Sequence, residues 1–160
     1  MKKLIFVLLM ITTQCMSQDS TTVYHPTADA KAEVTAAIKH AAGENKHVML
    51  MIGGNWCRWC KMFEKMIREN ASVDSAIKAN YIFQHVNFSK ENKNLPYLSE
   101  LEFPQRFGFP VFVVLNEKGE RIHTQNSAYL EEGEGYNAKK VIEFFDQWGP
   151  AALKAEQYKE

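Results

Sequence analysis

Cys57 and Cys60, in the stretch "NWCRWCKM" (Asn55–Met62), are the residues best suited to covalent chemistry in this chain. A C-x-x-C spacing serves zinc sites, short disulfides and dithiols that exchange electrons. As a structural staple the pair would close only a tiny loop, where loop-closure stabilisation is small. A structural zinc site wants four ligands, usually two such pairs or one pair with spaced histidines. Here a single pair is joined by five scattered histidines, His25, His40, His47, His85 and His123, none three or four residues from another. Redox chemistry is the leading reading. It requires no metal and no cofactor beyond a redox-active Cys57–Cys60 disulfide.

The neighbouring residues assign roles to the two thiols. "KHVMLMIGG" (Lys46–Gly54) is an apolar run of strand length, and Cys57, Cys60, Phe63, Glu64 and Ile67 then recur at helical spacing through Asn70. Asn55 is the candidate cap. Cys57 should therefore sit at the mouth of a helix, where free N–H groups and the positive dipole end favour a thiolate. Arg58 and Lys61 add positive charge. A free cysteine titrates near ~8.5 and such settings lower that value. Cys57 is the expected nucleophile, with Cys60, one turn deeper, placed to resolve the mixed disulfide. Trp56 and Trp59 flank the thiol and are expected to contribute a substrate surface.

The rest of the chain must position this motif. "PTADAKAEVTAAIKHAAG" (Pro26–Gly43) predicts a helix with Val34, Ala37, Ile38, Ala41 and Ala42 on its apolar face and Gly43 as its stop. "NYIFQHVNF" (Asn80–Phe88) reads as a strand, and the polar stretch after it as a loop with room for a short helix. Pro104 to Gly108 gives a single helical turn. "VFVVLNEKGERIHTQ" is a hairpin turning at Asn116–Gly119, and Tyr136–Trp148 an amphipathic closing helix. The expected order is α-β-α-β-α-β-β-α, without repeats or low-complexity segments.

The first residues follow a different grammar. "MKKLIFVLLMITTQCMSQ" has a basic start, an apolar run from Leu4 to Ile11 and a small-x-small site at Cys15 and Ser17, as a secretory signal does. The run falls short of the roughly 20 apolar residues needed to span a bilayer. Cleavage is expected near Ser17, with a periplasmic or secreted product. Lipidation at Cys15 is the rival, and bulky Gln14 argues against it. The expected organisation is a signal peptide over 1–17, a linker over 18–25, one domain over 26–150 and a tail over 151–160. The full chain carries 19 basic and 19 acidic residues. Loss of Lys2 and Lys3 leaves 17 against 19, a net charge of −2. That balance gives no footprint for nucleic acid.

Trp56-Cys57-x-x-Cys60-Lys61 after a strand, followed by Phe109-Pro110-Val111 opening a hairpin, resembles the thioredoxin superfamily. The likeness is to exported bacterial thioredoxin-like proteins of the disulfide-reductase and disulfide-isomerase type. "GGNWCRWCKMFEK", "RFGFPVFVVLNEKGE" and "LEEGEGYNAKKVIEFFDQW" carry it, over roughly Ala30 to Trp148. The resemblance implies an α/β thioredoxin-like fold, a central mixed β-sheet flanked by helices, here with an extra N-terminal helix. It also implies that Cys57 is the exposed attacking cysteine, Cys60 the buried resolving one, and Pro110 a cis-proline facing the dithiol. Phe109, held extended by the following proline, would present backbone to a substrate. The chain departs from thioredoxin at Met51, where thioredoxin has a buried aspartate that helps move the resolving thiol's proton. Glu64 is the carboxylate that could replace it. Arg58-Trp59 also replaces Gly-Pro between the cysteines.

Two classes of function follow. One is a thiol–disulfide oxidoreductase acting on protein disulfides, reset by an electron donor such as a membrane electron-transfer protein. The other is a thioredoxin-fold binding module that docks partners around Trp56, Trp59 and Phe109, or carries copper(I) on the two thiolates. The helix-mouth setting of Cys57 favours the first.

Overall fold

The computed structural model describes residues 22–159. The segment read as a signal peptide lies outside them, as does Cys15. The chain runs through α1 (Ala30–Glu44), β1 (His47–Gly53), α2 (Arg58–Glu69), α3 (Ala71–Asn80), β2 (Tyr81–Asn87) and α4 (Leu95–Glu100). A 3-10 turn, Pro104–Phe107, leads into β3 (Val111–Leu115) and β4 (Arg121–Asn126). The small hairpin β5 (Glu131–Glu132) and β6 (Gly135–Tyr136) precedes α5 (Ala138–Trp148). The central sheet has the order β2-β1-β3-β4, with β1 parallel to β2 and the other pairs antiparallel. It is the mixed sheet flanked by helices that the thioredoxin resemblance implies.

All seven residues of β1 are buried, so both faces of this central strand are covered. Its side chains alternate between two cores. Met49 and Met51 join Phe112 and Val114 beneath α2, α3 and α5, while Val48, Leu50 and Ile52 join Val111, Val113 and Leu115 against α1 and α4. Phe63 of α2 anchors the first core, its ring 4.6 Å from Phe112 and 5.0 Å from Tyr136. A buried phenylalanine of this kind is worth about 3–5 kcal/mol against truncation. This packing fixes α2, and with it the cysteines, over the end of β1.

Several local expectations change. α1 starts at Ala30 behind an Asp29 cap, and Gly43 lies within it. The left-handed position that ends the helix belongs to Asn45, φ 54°, a residue that tolerates this conformation because its short amide bonds locally. The interval after Asn70, left without an element, folds as α3. Asn70 both ends α2 and caps α3, its side chain accepting from the N–H groups of Ser72 and Val73. Val73 and Ile77 give α3 its buried edge. The closing helix begins at Ala138 behind Asn137, and Tyr136 belongs to the β5–β6 hairpin. Of the stretch read as a linker, residues 22–25 are described, and they are not free chain: Tyr24 is fully buried and Val23 packs against the same core.

Candidate active site

Gly53 ends β1, and the next four residues turn the chain into α2. Cys57 itself is the N-cap of that helix: its backbone is extended, φ −82° and ψ 109°, and its Sγ accepts from the Cys60 N–H at 3.1 Å. A thiolate there would meet one of the free first-turn donors. Cys57 and Cys60 are joined in a disulfide, with S–S 2.12 Å and Cα–Cα 5.3 Å. Cys57 is 4% exposed and Cys60 0%. The attacking cysteine was expected to be exposed, yet in the disulfide it is nearly covered. The order of access is still Cys57 first.

Asn55 is not the helix cap. Its Oδ1 accepts from the backbone N–H groups of Val23 and Tyr24, both at 3.0 Å, and its Nδ2 donates to the Tyr24 carbonyl at 2.8 Å. The amide therefore clamps the segment before α1 onto the active loop. Close approach also demands Gly54, because a β-carbon there would stand 2.4 Å from Trp56 Nε1 and 2.7 Å from the Phe88 carbonyl. Those two atoms are hydrogen-bonded, Trp56 Nε1–H donating to Phe88 at 2.8 Å.

This bond fixes the ring of Trp56, the residue before Cys57, while leaving Trp56 57% exposed. Phe109 meets Trp56 edge-on at 5.3 Å and lies 4.8 Å from Phe88. The Phe109–Pro110 peptide bond is cis, and Pro110 is buried at the start of β3. Trp59 differs from Trp56: it is half-buried, edge-on to Tyr136 at 5.4 Å. Trp56 and Phe109 thus make the aromatic surface, and Trp59 mainly supports α2 against β6.

Arg58 and Lys61 are exposed and line a cleft of about 380 Å³ with Trp56, Glu64, Lys65 and Arg68. Glu64 is engaged with β2: its Oε1 lies 2.5 Å from His85 Nε2, and its side chain is 15% exposed. Met51 is fully buried in the core that holds Cys60. Among the described residues no three His, Cys, Asp or Glu side chains converge as a metal site. His47 and His123 are instead held by Trp148, the first bonded to its carbonyl at 2.9 Å and the second stacked on its ring at 4.0 Å. The residues missed by sequence reasoning are Tyr24, Phe88 and Tyr136, all brought in by contacts distant along the chain.

The chain belongs to the thioredoxin-like domain family, whose model matches residues 34–133. Among solved structures it is similar to a disulphide isomerase from Xylella fastidiosa Temecula1, with 23% identity, TM-score 0.71, and 80% of this chain covering 97% of that one. The C-terminal domain of DsbD from Neisseria meningitidis, in its oxidised form, is 25% identical with TM-score 0.55, covering 76% of this chain and 97% of that one. A thioredoxin from Thermus thermophilus shares the fold at 16% identity and TM-score 0.51, over 79% and 93% of the two chains. No curated protein matches the chain.

Proposed function

We propose that this protein is an exported thiol–disulfide oxidoreductase that reduces or isomerises protein disulfides. The observation that carries the reading is the Cys57–Cys60 disulfide at the mouth of α2, with Cys57 Sγ already accepting a backbone N–H. In the reduced protein, the Cys57 thiolate attacks a client disulfide and releases one client sulfur as thiolate. Cys60, deprotonated, then attacks Cys57 Sγ, frees the second client sulfur and restores the disulfide. Two electrons pass to the client, and a protein dithiol must return them. A membrane electron-transfer protein is the proposed donor, and the likeness to a DsbD C-terminal domain supports a thiol-redox partner only in general. Trp56 and Phe109 would carry the client, and Arg58 and Lys61 would favour the Cys57 thiolate.

The test is turnover. The protein with dithiothreitol should reduce insulin disulfides at least about tenfold faster than dithiothreitol alone, and Cys57→Ser should abolish the gain. Cys60→Ser should instead accumulate mixed disulfides through Cys57. Partner binding without turnover would favour the docking module, and trapping through Cys60 would reverse the two roles.

A further inference from the structure

Tyr24 presents a buried hydroxyl with nothing to bond. Its side chain is 1% exposed, and its Oη finds no hydrogen-bond partner among the described residues. Its position is set by the three Asn55 bonds to the Val23–Tyr24 backbone. Gly53 shows where that hydroxyl points. A β-carbon built on Gly53 would stand 2.4 Å from Cys60 Sγ and 2.8 Å from Tyr24 Oη. The sulfur and the phenol therefore face the same point above a residue that must lack a side chain. A fixed, desolvated donor beside a disulfide sulfur has little to bond, because that sulfur is a weak acceptor. The same donor beside a thiolate has a strong, charged acceptor.

We propose that the Tyr24 hydroxyl is the hydrogen-bond donor that receives the Cys60 thiolate whenever the Cys57–Cys60 bond opens. The proposal deepens the oxidoreductase reading and rests on it. When a donor thiolate attacks Cys57 Sγ, a donor–Cys57 bond forms and the Cys57–Cys60 bond breaks. Its electron pair leaves on Cys60, and Tyr24 O–H donates to that sulfur while keeping its own proton. A second donor thiolate then frees Cys57 and closes the donor disulfide. In the client direction, the same bond holds Cys60 as thiolate for attack on the mixed disulfide. Tyr24 acts as a donor and not as a base, because burial, with Glu64 and Tyr136 nearby, raises its phenol well above the ordinary value. Met51, in the same buried core, offers a thioether and no proton. The titratable groups around Tyr24 are Glu64 of α2, His85 of β2, whose ring stands edge-on 5.3 Å away, and Tyr136 of β6.

The test needs no client. In a Cys57→Ser background, the Cys60 thiolate is titrated by its ultraviolet absorbance with and without Tyr24→Phe. Loss of a bond to a charged acceptor should raise the Cys60 pKa by about one unit, a tenfold shift. In the intact dithiol, at a pH high enough to ionise Cys60, Tyr24→Phe should move the equilibrium with glutathione about tenfold toward the disulfide, or about 30 mV more reducing. At the same pH the melting temperature should fall in the reduced protein and not in the oxidised one, where the hydroxyl has no bond to lose. Fluorotyrosine at position 24, a stronger donor with the same ring, should lower the Cys60 pKa and decides the matter should Tyr24→Phe not fold. An unchanged Cys60 pKa, or equal loss of stability in both redox states, would overturn the proposal and leave Tyr24 as packing. Because these readings need no turnover, a protein inert toward insulin that still shows the shift would count against the oxidoreductase reading while leaving the Tyr24–Cys60 hydrogen bond in place.

Discussion

Tyr24, Tyr81 and Tyr136 bury their phenols, and each is held above its ordinary titration range. Burial is the main cause in all three, reinforced by Glu64 at Tyr24, Asp146 at Tyr81 and Glu131 at Tyr136. Tyr97, within α4, is pushed up to about 12, again mainly by burial. A phenol that binds its proton more tightly in the folded chain stabilises the fold fully below the unfolded value of ~10. That stability is lost as pH rises through the folded value, with a slope of up to about 1.4 kcal/mol per pH unit for each phenol. Ionised Tyr81 would also forfeit its 2.6 Å donation to the Phe145 carbonyl. Denaturation followed against pH should show stability falling steeply above about pH 10. Tyr81→Phe should flatten that fall, and a profile level to about pH 12 would contradict the burial assigned to these residues.

At the scale of elements, the β1–α2 junction joins a central strand, a capped helix and the segment before α1. Asn55 holds the last of these, so Asn55→Ala would leave two backbone N–H groups and one carbonyl without their partner. Unsatisfied buried groups cost about 1–3 kcal/mol each, and partial solvation of this part-buried site brings the expected loss to about 2–3 kcal/mol. Chemical denaturation measures it, and a loss below about 0.5 kcal/mol would show that the clamp carries no load. Elements whose signal is local were legible in the sequence. β1 is a continuous apolar run, α2 follows its Cys57-to-Ile67 periodicity, and the β3–β4 hairpin has its turn residues. α3 was missed because Val73 and Ile77 are its only buried residues, too few to show a helical period in the sequence. Asn55 was read as a cap because its partners, Val23 and Tyr24, are more than 30 positions away. The disulfide pair was plain from spacing, but the hydroxyl aimed at Cys60 came from a segment that composition marks as linker.

At the scale of the whole molecule, the family match and the sheet order define a thioredoxin-like domain whose Cys57–Cys60 disulfide sits at one end of its central strand. No helix among the described residues is long and apolar enough to cross a membrane. The proposed export is a separate matter, read from the mass of the chain. Intact-mass analysis of protein recovered from the producing cell should show a chain beginning at or near Gln18 and carrying no lipid. A lipidated chain beginning at Cys15 would make the domain membrane-anchored.

The reduction potential of the Cys57–Cys60 couple tests the central claim most directly, because it separates an exchanging dithiol from an inert staple and a reductant from an oxidant. Known exchange-active potentials run from about −270 mV for thioredoxin to about −120 mV for the strongest oxidants, and structural disulfides lie below about −300 mV. Stabilising the Cys57 thiolate favours the reduced form and raises the potential. A single neighbouring charge such as Arg58 is worth roughly 0.3–1 kcal/mol at an exposed helix end. At ~30 mV for each ~1.4 kcal/mol, that is about 20 mV at most, too little to turn a reductant into an oxidant. Equilibration with glutathione or dithiothreitol should place the couple in the reducing half of the exchange-active range. A value near −120 mV would make the protein an oxidant, one below about −300 mV would make the disulfide structural, and either would contradict the account.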